Sequence, residues 1–179
     1  MSKSVLIIST SPRKDGNSDT LAEEFAKGAR ETGNQVEKIV FYDKTIGFCK
    51  GCLACQKSLR CVIHDEADTI AQKMLTADVI VFATPIYYYE MCGQMKTMLD
   101  RANPLYPADY AFRDIYLLAA AADADKSAMD GAIKGLEGWI ACFEKARLAG
   151  TVFGGGADAI GTIQGNPALD EAYEMGKRV

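Results

Sequence analysis

The sequence predicts an α/β protein in which a parallel β-sheet carries helices on both faces. Short apolar runs alternate along the 179 residues with stretches whose apolar residues recur at helical spacing. Strands that alternate with helices form βαβ units, and their connections place the helices on the two faces of a parallel sheet. In addition, the first apolar run leads through a hydroxyl-rich turn directly into a helical pattern, as in ligand-binding doubly wound sheets.

Five strands in a chain of this length fit a flavodoxin-like sheet of order 2-1-3-4-5. The predicted strands are the apolar runs 5–8, 36–41, 79–83, 115–120 and 151–153. Helices are predicted between them, and a last short helix is predicted to start at Pro167. No internal repeat or linker divides the chain, so we expect a single domain over residues 1–179. Ligands of this fold bind at the carboxyl ends of strands one and three, where the strand order reverses.

The loop after the first strand has the composition of a phosphate site. It contains Ser11, Arg13, Asn17 and Ser18, and it opens into a helix. A helix N-terminus offers unpaired N–H groups and a positive dipole end, and these side chains add further donors for a phosphate monoester. The loop lacks the lysine of a nucleoside-triphosphate loop and the glycines of a dinucleotide loop. It therefore favours a mononucleotide such as FMN over an ordinary capped turn, which needs only one such residue.

The segment after the third predicted strand supplies the other half of the expected site. Pro85, Ile86, Tyr87 and Tyr88 follow that strand directly, within a run of three tyrosines. In the predicted fold this segment faces the phosphate loop, and its flat, amphipathic side chains suit a slot for a flavin ring. A tyrosine-rich contact between subunits is the alternative explanation, and the two are compatible.

At these two loops the sequence resembles the NADPH-dependent FMN reductase family. The motifs that carry the resemblance are residues 11–18, 84–89, 93–96 with the following Asp100 and Arg101, and 165–169. They extend over nearly the whole chain. The sequence departs from the family pattern at Ser9 and Thr10, where a glycine is usual. It also lacks, in residues 119–125, the serine- and glycine-rich flavin loop of many members, so we assign no flavin contact there.

The resemblance implies a flavodoxin-like fold, tightly bound FMN and reduction of that FMN by NAD(P)H. Carried over position by position, the four polar residues of the first loop would hold the FMN phosphate, and residues 85–88 would line the isoalloxazine. Because the flavin carries the chemistry, we assign no catalytic side chain. The expected function is an NAD(P)H oxidoreductase that passes electrons through FMN to a redox protein or to a small acceptor such as a quinone, a nitro compound or a flavin.

Four of the six cysteines are crowded together, at Cys49, Cys52, Cys55 and Cys61. The spacing C-x2-C-x2-C-x5-C suits a compact iron–sulfur cluster better than structural zinc, which usually takes two separated pairs. It also resembles the motif of iron-sulfur flavoproteins, a branch of the same superfamily, which implies a [4Fe-4S] cluster and an alternative role as an electron carrier. An empty thiol loop is the other interpretation. Cys92 and Cys142 lie outside the motif and are predicted to be small buried hydrophobes.

The overall composition excludes several other classes of protein. The net charge is −4 and no basic run occurs, which argues against a nucleic-acid partner. No apolar run reaches membrane-spanning length and no leader opens the sequence, so we expect a cytoplasmic protein that does not bind membranes. Large side chains crowd at residues 87–89, Met91, Tyr106, Tyr110 and Phe112. This crowding predicts a homodimer or a homotetramer.

Overall fold

The computed structural model describes residues 2–179 as one parallel sheet covered by helices. The strands are β1 (Ser4–Ser9), β2 (Gln35–Val40), β3 (Val79–Tyr87), β4 (Glu90–Met91), β5 (Asp114–Ala120) and β6 (Arg147–Gly154). The helices are α1 (Asn17–Glu31), α2 (Cys55–Ser58), α3 (Glu66–Thr76), α4 (Gly93–Arg101), α5 (Asp130–Ile140) and α6 (Ala168–Lys177), with 3-10 turns at Asn103–Leu105 and Lys126–Met129. Within residues 2–179, no helix is both long and apolar enough to cross a membrane.

The strand order is β2-β1-β3-β5-β6, and all of these neighbours are parallel. With the two-residue β4 set aside, this is the predicted order, and the flavodoxin-like fold is confirmed. Ser9 at the end of β1 is in register with Val40 on one side and Ala83 on the other. The chain segments that leave β1 and β3 therefore start side by side at the carboxyl edge of the sheet.

The sheet separates two apolar cores. Leu6 and Ile8 of β1 pack with buried residues of α3, α4 and α5, whereas Val5 and Ile7 pack with α1 and α6. This division follows from the alternation of side chains along a strand, which sends successive residues to opposite faces. Helices therefore cover both faces of the sheet, as predicted.

Strand β3 is longer than the predicted run 79–83. It continues to Tyr87 and then pairs with β4 as an antiparallel hairpin, with Ile86 opposite Met91 and Tyr87 opposite Glu90. The turn residues Tyr88 and Tyr89 have φ angles of +52° and +64°. Such two-residue turns usually contain glycine or asparagine, so a tyrosine pair gave no turn signal in the sequence.

Helices α1 and α6 approach each other at two glycines. A Cβ atom at Gly28 would lie 2.1 Å from the carbonyl oxygen of Tyr173, and one at Gly176 would lie 2.2 Å from that of Phe25. Both distances are far inside van der Waals contact, so only glycine allows the two helices to pack this closely.

Several large side chains that were expected at a subunit contact belong to the core instead. Phe112 is fully buried and stacks on Tyr110 with 4.5 Å between the ring centroids, and Met91 is also buried. The expectation of a crowded surface was wrong for Phe112 and Met91, because the face of the sheet that carries α5 accommodates them. The exposed members of the set are residues 87–89 and Tyr106.

Candidate functional site

A cleft opens at the carboxyl edge of the sheet, where β1, β3 and β5 end. Seven of the eight residues predicted to contact FMN line it: Ser11, Arg13, Asn17, Ser18, Pro85, Ile86 and Tyr87. Tyr88 is the exception, because it lies in the hairpin turn with a fully exposed side chain. The structure thus brings the two predicted loops together around one space.

The loop between β1 and α1 is held in a tight curve by its own hydrogen bonds. Ser11 Oγ donates to the carbonyl oxygen of Arg13 at 3.0 Å and accepts from its amide nitrogen at 3.1 Å. A Cβ atom at Gly16 would lie 2.4 Å from Ser11 Oγ, so this close curve favours a glycine there. Gly16 has an extended backbone and serves as the N-cap of α1, whose first turn points into the cleft.

The first turn of α1 has the properties of an anion site. Ser18 Oγ is buried at the cleft and has no hydrogen-bond partner among the described residues. Buried hydroxyls normally have a partner, and the first N–H groups of a helix have no acceptor within the helix. The exposed Arg13 side chain stands beside them and donates to the carbonyl oxygen of Asp158 at 3.0 Å. These donors fit a phosphate group that would occupy the cleft.

Asn17 holds the opposite wall of the cleft. Its Nδ2 donates to the carbonyl oxygen of Ala159 at 2.9 Å, and its Oδ1 accepts from the amides of Gly161 at 3.1 Å and Ile163 at 3.4 Å. The side chain was predicted from sequence as a phosphate contact. In the structure Asn17 lines the cleft, and its polar atoms fasten the loop after β6 to the start of α1.

A third wall of the cleft was missed by the sequence analysis. Ala120, Ala121 and Ala122, at the end of β5, line the cleft together with Ala157 and Asp158. The amide of Ala157 donates to the carbonyl oxygen of Ala121 at 2.7 Å, which joins this wall to the loop after β6. Alanine carries no functional group, so only the position beside β3 at the carboxyl edge could have indicated these residues.

Helix α5 supports the tyrosine hairpin through two glycines. A Cβ atom at Gly131 would lie 2.3 Å from the carbonyl oxygen of Tyr89, and one at Gly135 would lie 3.0 Å from the Met91 methyl group. The hairpin turn therefore packs directly against the backbone of α5. Positive φ angles at two tyrosines are strained, and this support holds the turn in place beside the cleft.

The four clustered cysteines lie in a second region, which we call the cysteine segment (residues 47–65). It contains α2 and otherwise irregular backbone, with left-handed φ angles of +63° at Gly51 and +57° at both Leu53 and Leu59. Its basic residues are Lys50, Lys57 and Arg60, and no acidic residue precedes Asp65. The segment is largely exposed, and Phe48 keeps 80% of its surface accessible to solvent.

One buried arginine fastens the cysteine segment to α4. The Arg101 guanidinium donates to both carboxylate oxygens of Asp65, at 2.7 and 2.8 Å. It also donates to the carbonyl oxygens of Gly47 at 2.7 Å and Ile63 at 2.9 Å. Burial acts to raise the pKa of Asp65, but hydrogen bonds from Arg101 and the Gly47 amide outweigh it and hold that pKa below its ordinary value. The arginine thus joins both ends of the segment.

Three of the four clustered sulfurs accept hydrogen bonds from N–H groups. The amide of Gly51 donates to Cys49 Sγ at 3.4 Å, the amide of Ile63 to Cys61 Sγ at 3.5 Å, and Asn103 Nδ2 to Cys55 Sγ at 3.1 Å. Hydrogen bonds of this kind accompany iron–sulfur ligation and tune its potential.

The four thiols do not form a closed ligand set. Cys55 is buried, Cys61 is partly buried, and Cys49 and Cys52 are exposed. Within residues 2–179, no three or more cysteine, histidine or acidic side chains are grouped closely enough to hold a metal ion. The four thiols and the N–H groups that bond to them therefore suit an iron–sulfur cluster. To ligate one cluster, the four sulfurs would have to come closer together through a change in the exposed part of the segment. Outside the segment, Cys92 is buried as expected, but the prediction that Cys142 is buried was wrong.

The fold and the cleft define a class: a flavodoxin-like protein in which a donor-rich turn at the start of a helix faces the apolar side chains that follow β3. Residues 4–156 match the family described as NADPH-dependent FMN reductase, and the chain belongs to that family.

The chain is similar to iron-sulfur flavoproteins of archaea. One from Methanosarcina thermophila is 27% identical over 169 residues, which cover 94% of this chain and 85% of that protein. One from Methanocaldococcus jannaschii is 38% identical over 101 residues, covering 56% of this chain and 52% of that protein. One from Archaeoglobus fulgidus is 35% identical over 94 residues, covering 52% and 43%. In the last two relatives the match therefore spans only about half of the relative's length.

Two solved structures illustrate the likeness in fold. An azoreductase from Bacillus anthracis superposes over the full length of both chains with a TM-score of 0.72 and 20% identity. An NAD(P)H:quinone oxidoreductase from Methanothermobacter marburgensis superposes over 99% of this chain and 97% of its own, with a TM-score of 0.67 and 15% identity. At these identities the likeness establishes the fold alone.

Proposed function

We propose that this protein binds FMN in the cleft and uses it to transfer electrons from NAD(P)H to a small acceptor such as a quinone, a nitro compound or a flavin. The observation that carries the proposal is the unpartnered Ser18 hydroxyl at the first turn of α1, across the cleft from the apolar side chains of Pro85 and Ile86. One end of the cleft thus needs an anion, and the other offers a flat apolar surface. FMN has both features in one molecule.

The residues of the chain would bind and orient the cofactor. Ser11, Arg13, Ser18 and the N–H groups of α1 would hold the phosphate, with charge-assisted hydrogen bonds from the guanidinium. The ring would lie along residues 85–87, against the alanines at the end of β5. When bound, FMN supplies hydride acceptance and electron release, so the protein contributes binding, orientation and polarity. Asn17 would act by holding the loop after β6 against α1, and we assign no side chain as a catalytic acid or base.

A paired substitution in the phosphate loop tests the cleft. Arg13→Ala with Ser18→Ala removes one charged and one neutral donor, and hydrogen bonds to charged groups contribute about 1.5–3 kcal/mol each. We expect the FMN dissociation constant to rise by at least about 100-fold, measured by fluorescence titration of the apoprotein. Arg30→Ala, in the last turn of the same helix, is the matched control and should bind FMN like the wild type. Unchanged affinity in a folded double variant would move the flavin site elsewhere.

A second candidate function, electron transfer through a [4Fe-4S] cluster, is favoured by the N–H donors to Cys49, Cys55 and Cys61. The relatives called iron-sulfur flavoproteins support it. In this reading Cys49, Cys52, Cys55 and Cys61 would ligate the cluster. The partner would be a redox protein, and the uniformly basic character of residues 47–64 would suit an acidic one.

Iron analysis separates the two candidates. After anaerobic reconstitution, a cluster predicts about four irons per chain and broad absorption beyond the flavin bands. Cys55→Ala should abolish that absorption and leave FMN bound, whereas Cys142→Ala, at the exposed cysteine outside the motif, should change neither. If the wild type takes up no iron yet oxidises NAD(P)H with a quinone, the cysteine segment is an empty thiol loop and the first candidate stands alone.

We also propose that the protein is a cytoplasmic homodimer or homotetramer. All six cysteines are free thiols, which suits a reducing compartment. The side chains of Tyr88 and Tyr89 are more than half exposed next to Tyr87, which lines the cleft, and Tyr106 is more than half exposed elsewhere on the surface. Such a cluster of exposed aromatic residues is typical of a subunit contact. Light scattering at micromolar concentration should give at least twice the mass of one chain, and Tyr88→Ser should weaken the association.

A further inference from the structure

The two sides of the cleft meet beneath its floor in a small buried polar cluster, which we call the threonine–cysteine node (Thr10, Thr84 and Cys92). All three residues are at most 1% exposed. Thr10 begins the phosphate loop, Thr84 precedes the strand residues that line the cleft, and Cys92 is the N-cap of α4. None of the three is among the residues that line the cleft.

Each member of the node is bonded to a different part of the site. The Thr10 amide and hydroxyl both donate to the carbonyl oxygen of Ala83 at 2.8 Å. The Cys92 amide donates to Thr84 Oγ1 at 3.1 Å. The Cys92 thiol donates to the carbonyl oxygen of Thr10 at 3.3 Å and lies 3.4 Å from the Thr10 hydroxyl. The Thr84 hydroxyl also lies 3.4 Å from the Cys92 sulfur. Cys92 therefore contacts Thr84 through both its amide and its thiol, and its thiol alone reaches across to Thr10.

The Cys92 thiol is committed to this bridge rather than to its own helix. An N-cap side chain usually accepts a hydrogen bond from the second or third amide of the helix. Cys92 makes no such bond, and its sulfur is turned toward Thr10 instead. Because the group is buried, the Thr10 carbonyl has no water to replace the thiol if the thiol is removed.

We propose that Cys92 is a positioning residue that sets the spacing between the phosphate loop and the strand along which the flavin ring would lie. The inference rests on the proposed binding of FMN in the cleft. FMN must reach both surfaces at once, so its affinity depends on their separation. Riboflavin, which lacks the phosphate, needs only the ring surface. Loss of the hydrogen bond from Cys92 to Thr10 should therefore weaken the binding of FMN more than the binding of riboflavin.

The test compares the dissociation constants of FMN and riboflavin for apoprotein variants. In Cys92→Ala and Cys92→Val the thiol donor is absent, and we expect the FMN constant to rise about 3- to 10-fold, the range for one buried neutral hydrogen bond. The riboflavin constant should change less than about 2-fold. Cys92→Ser keeps a donor and should restore the preference for FMN. Cys142→Ala, at an exposed cysteine, should behave as the wild type.

The ratio of the two constants distinguishes positioning from general destabilisation. If the FMN and riboflavin dissociation constants rise equally, or if their ratio is unchanged in both Cys92→Ala and Cys92→Val, the inference is overturned. If these variants are too unstable to purify, Thr84→Val removes the hydroxyl that accepts from the Cys92 amide and serves the same comparison. A wild-type protein that binds neither flavin would overturn the proposed function itself, and that outcome is visible before any variant is made.

Discussion

The cleft and the cysteine segment are built in opposite ways. The cleft takes its walls from residues as far apart as Ser11 and Asp158, and it depends on the ends of three strands. The cysteine segment is continuous in sequence, largely exposed, and fastened at both ends by the single side chain of Arg101. A site made by the whole sheet should resist local changes, whereas a site made by one loop should depend on its few anchors.

The largest expected effect is at the anchor of the cysteine segment. Arg101→Met removes a fully buried guanidinium and leaves Asp65 and two carbonyl oxygens without their donor. Breaking a buried ion pair in this way typically costs about 3–5 kcal/mol, and we expect a loss of that size in the free energy of unfolding from urea titration. Trypsin should also cut sooner after Lys50 and Lys57, while FMN affinity changes little.

The control for this variant is in the same helix. Lys96→Met removes an exposed ion pair with Asp100, 2.7 Å long, and such pairs contribute at most about 1 kcal/mol. If the two variants lose similar amounts of stability, Arg101 is not the anchor of the cysteine segment. If FMN affinity collapses together with the cysteine segment in Arg101→Met, the two sites are not independent.

A smaller effect is expected on the cleft side, at the contact of α1 with α6. Gly28→Ala places a methyl group against the backbone of Tyr173 and should lower the free energy of unfolding by about 1–3 kcal/mol. Gly138→Ala is the matched control in α5, because a Cβ there meets nothing within 4 Å. It should raise stability by about 0.5–1 kcal/mol, since alanine favours helices. Melting temperatures that move in the same direction would contradict the close packing.

Acid should act on the cysteine segment through Asp65. Because its folded pKa is lowered, the stability that it contributes is present above the unfolded value of about 3.9 and is lost as the pH falls through the folded value. Asp65→Asn should therefore be less stable than the wild type at neutral pH, and the difference should shrink in acid. Melting curves between about pH 2 and pH 6 measure this. Parallel curves for the two proteins would assign the acid sensitivity to other carboxylates.

The smallest effect is expected at the sulfur of Cys55. Asn103→Ala removes its side-chain donor, a contact that contributes about 0.5 kcal/mol or slightly more. If the segment takes up the proposed cluster, the reconstituted variant should release iron to a chelator faster than the wild type, with FMN binding unchanged. Gln56→Ala, at the exposed neighbour of Cys55, should release iron at the wild-type rate. Identical release from all three proteins would leave Asn103 without a role in holding the cysteine.

The comparison also explains which features could be predicted from sequence. The positions of the five parallel strands follow from hydrophobic periodicity, and their order follows from the doubly wound fold that fits five strands alternating with helices. The hairpin at Tyr88 and Tyr89 could not be predicted, since its backbone is one that tyrosine rarely adopts. The support from Gly131, which holds that backbone, is distant in sequence and visible only in three dimensions.

The sites follow the same division. The polar side chains of Ser11, Arg13 and Ser18 indicate an anion site in the sequence itself. The strand order alone places these residues opposite residues 85–87. The alanines of β5 have no such chemistry. For the cysteines, spacing predicts that four thiols are neighbours in sequence, but not that Cys55 turns inward while Cys49 and Cys52 stay exposed. The sequence gives no sign that Arg101 is an anchor, because arginine is rarely found buried.

The glycine contact between α1 and α6 has a consequence for the order of events during synthesis. Helix α1, which carries the phosphate turn, is made early, but the helix that covers its apolar face is α6, which follows all the strands. The loop that Asn17 holds also comes after β6. Domains fold as units while the chain emerges at about 5–20 residues per second. A nascent chain with all five parallel strands but without α6 therefore still lacks the helix that packs against α1, and we expect the turn at the start of α1 to be held firmly only after α6 has formed.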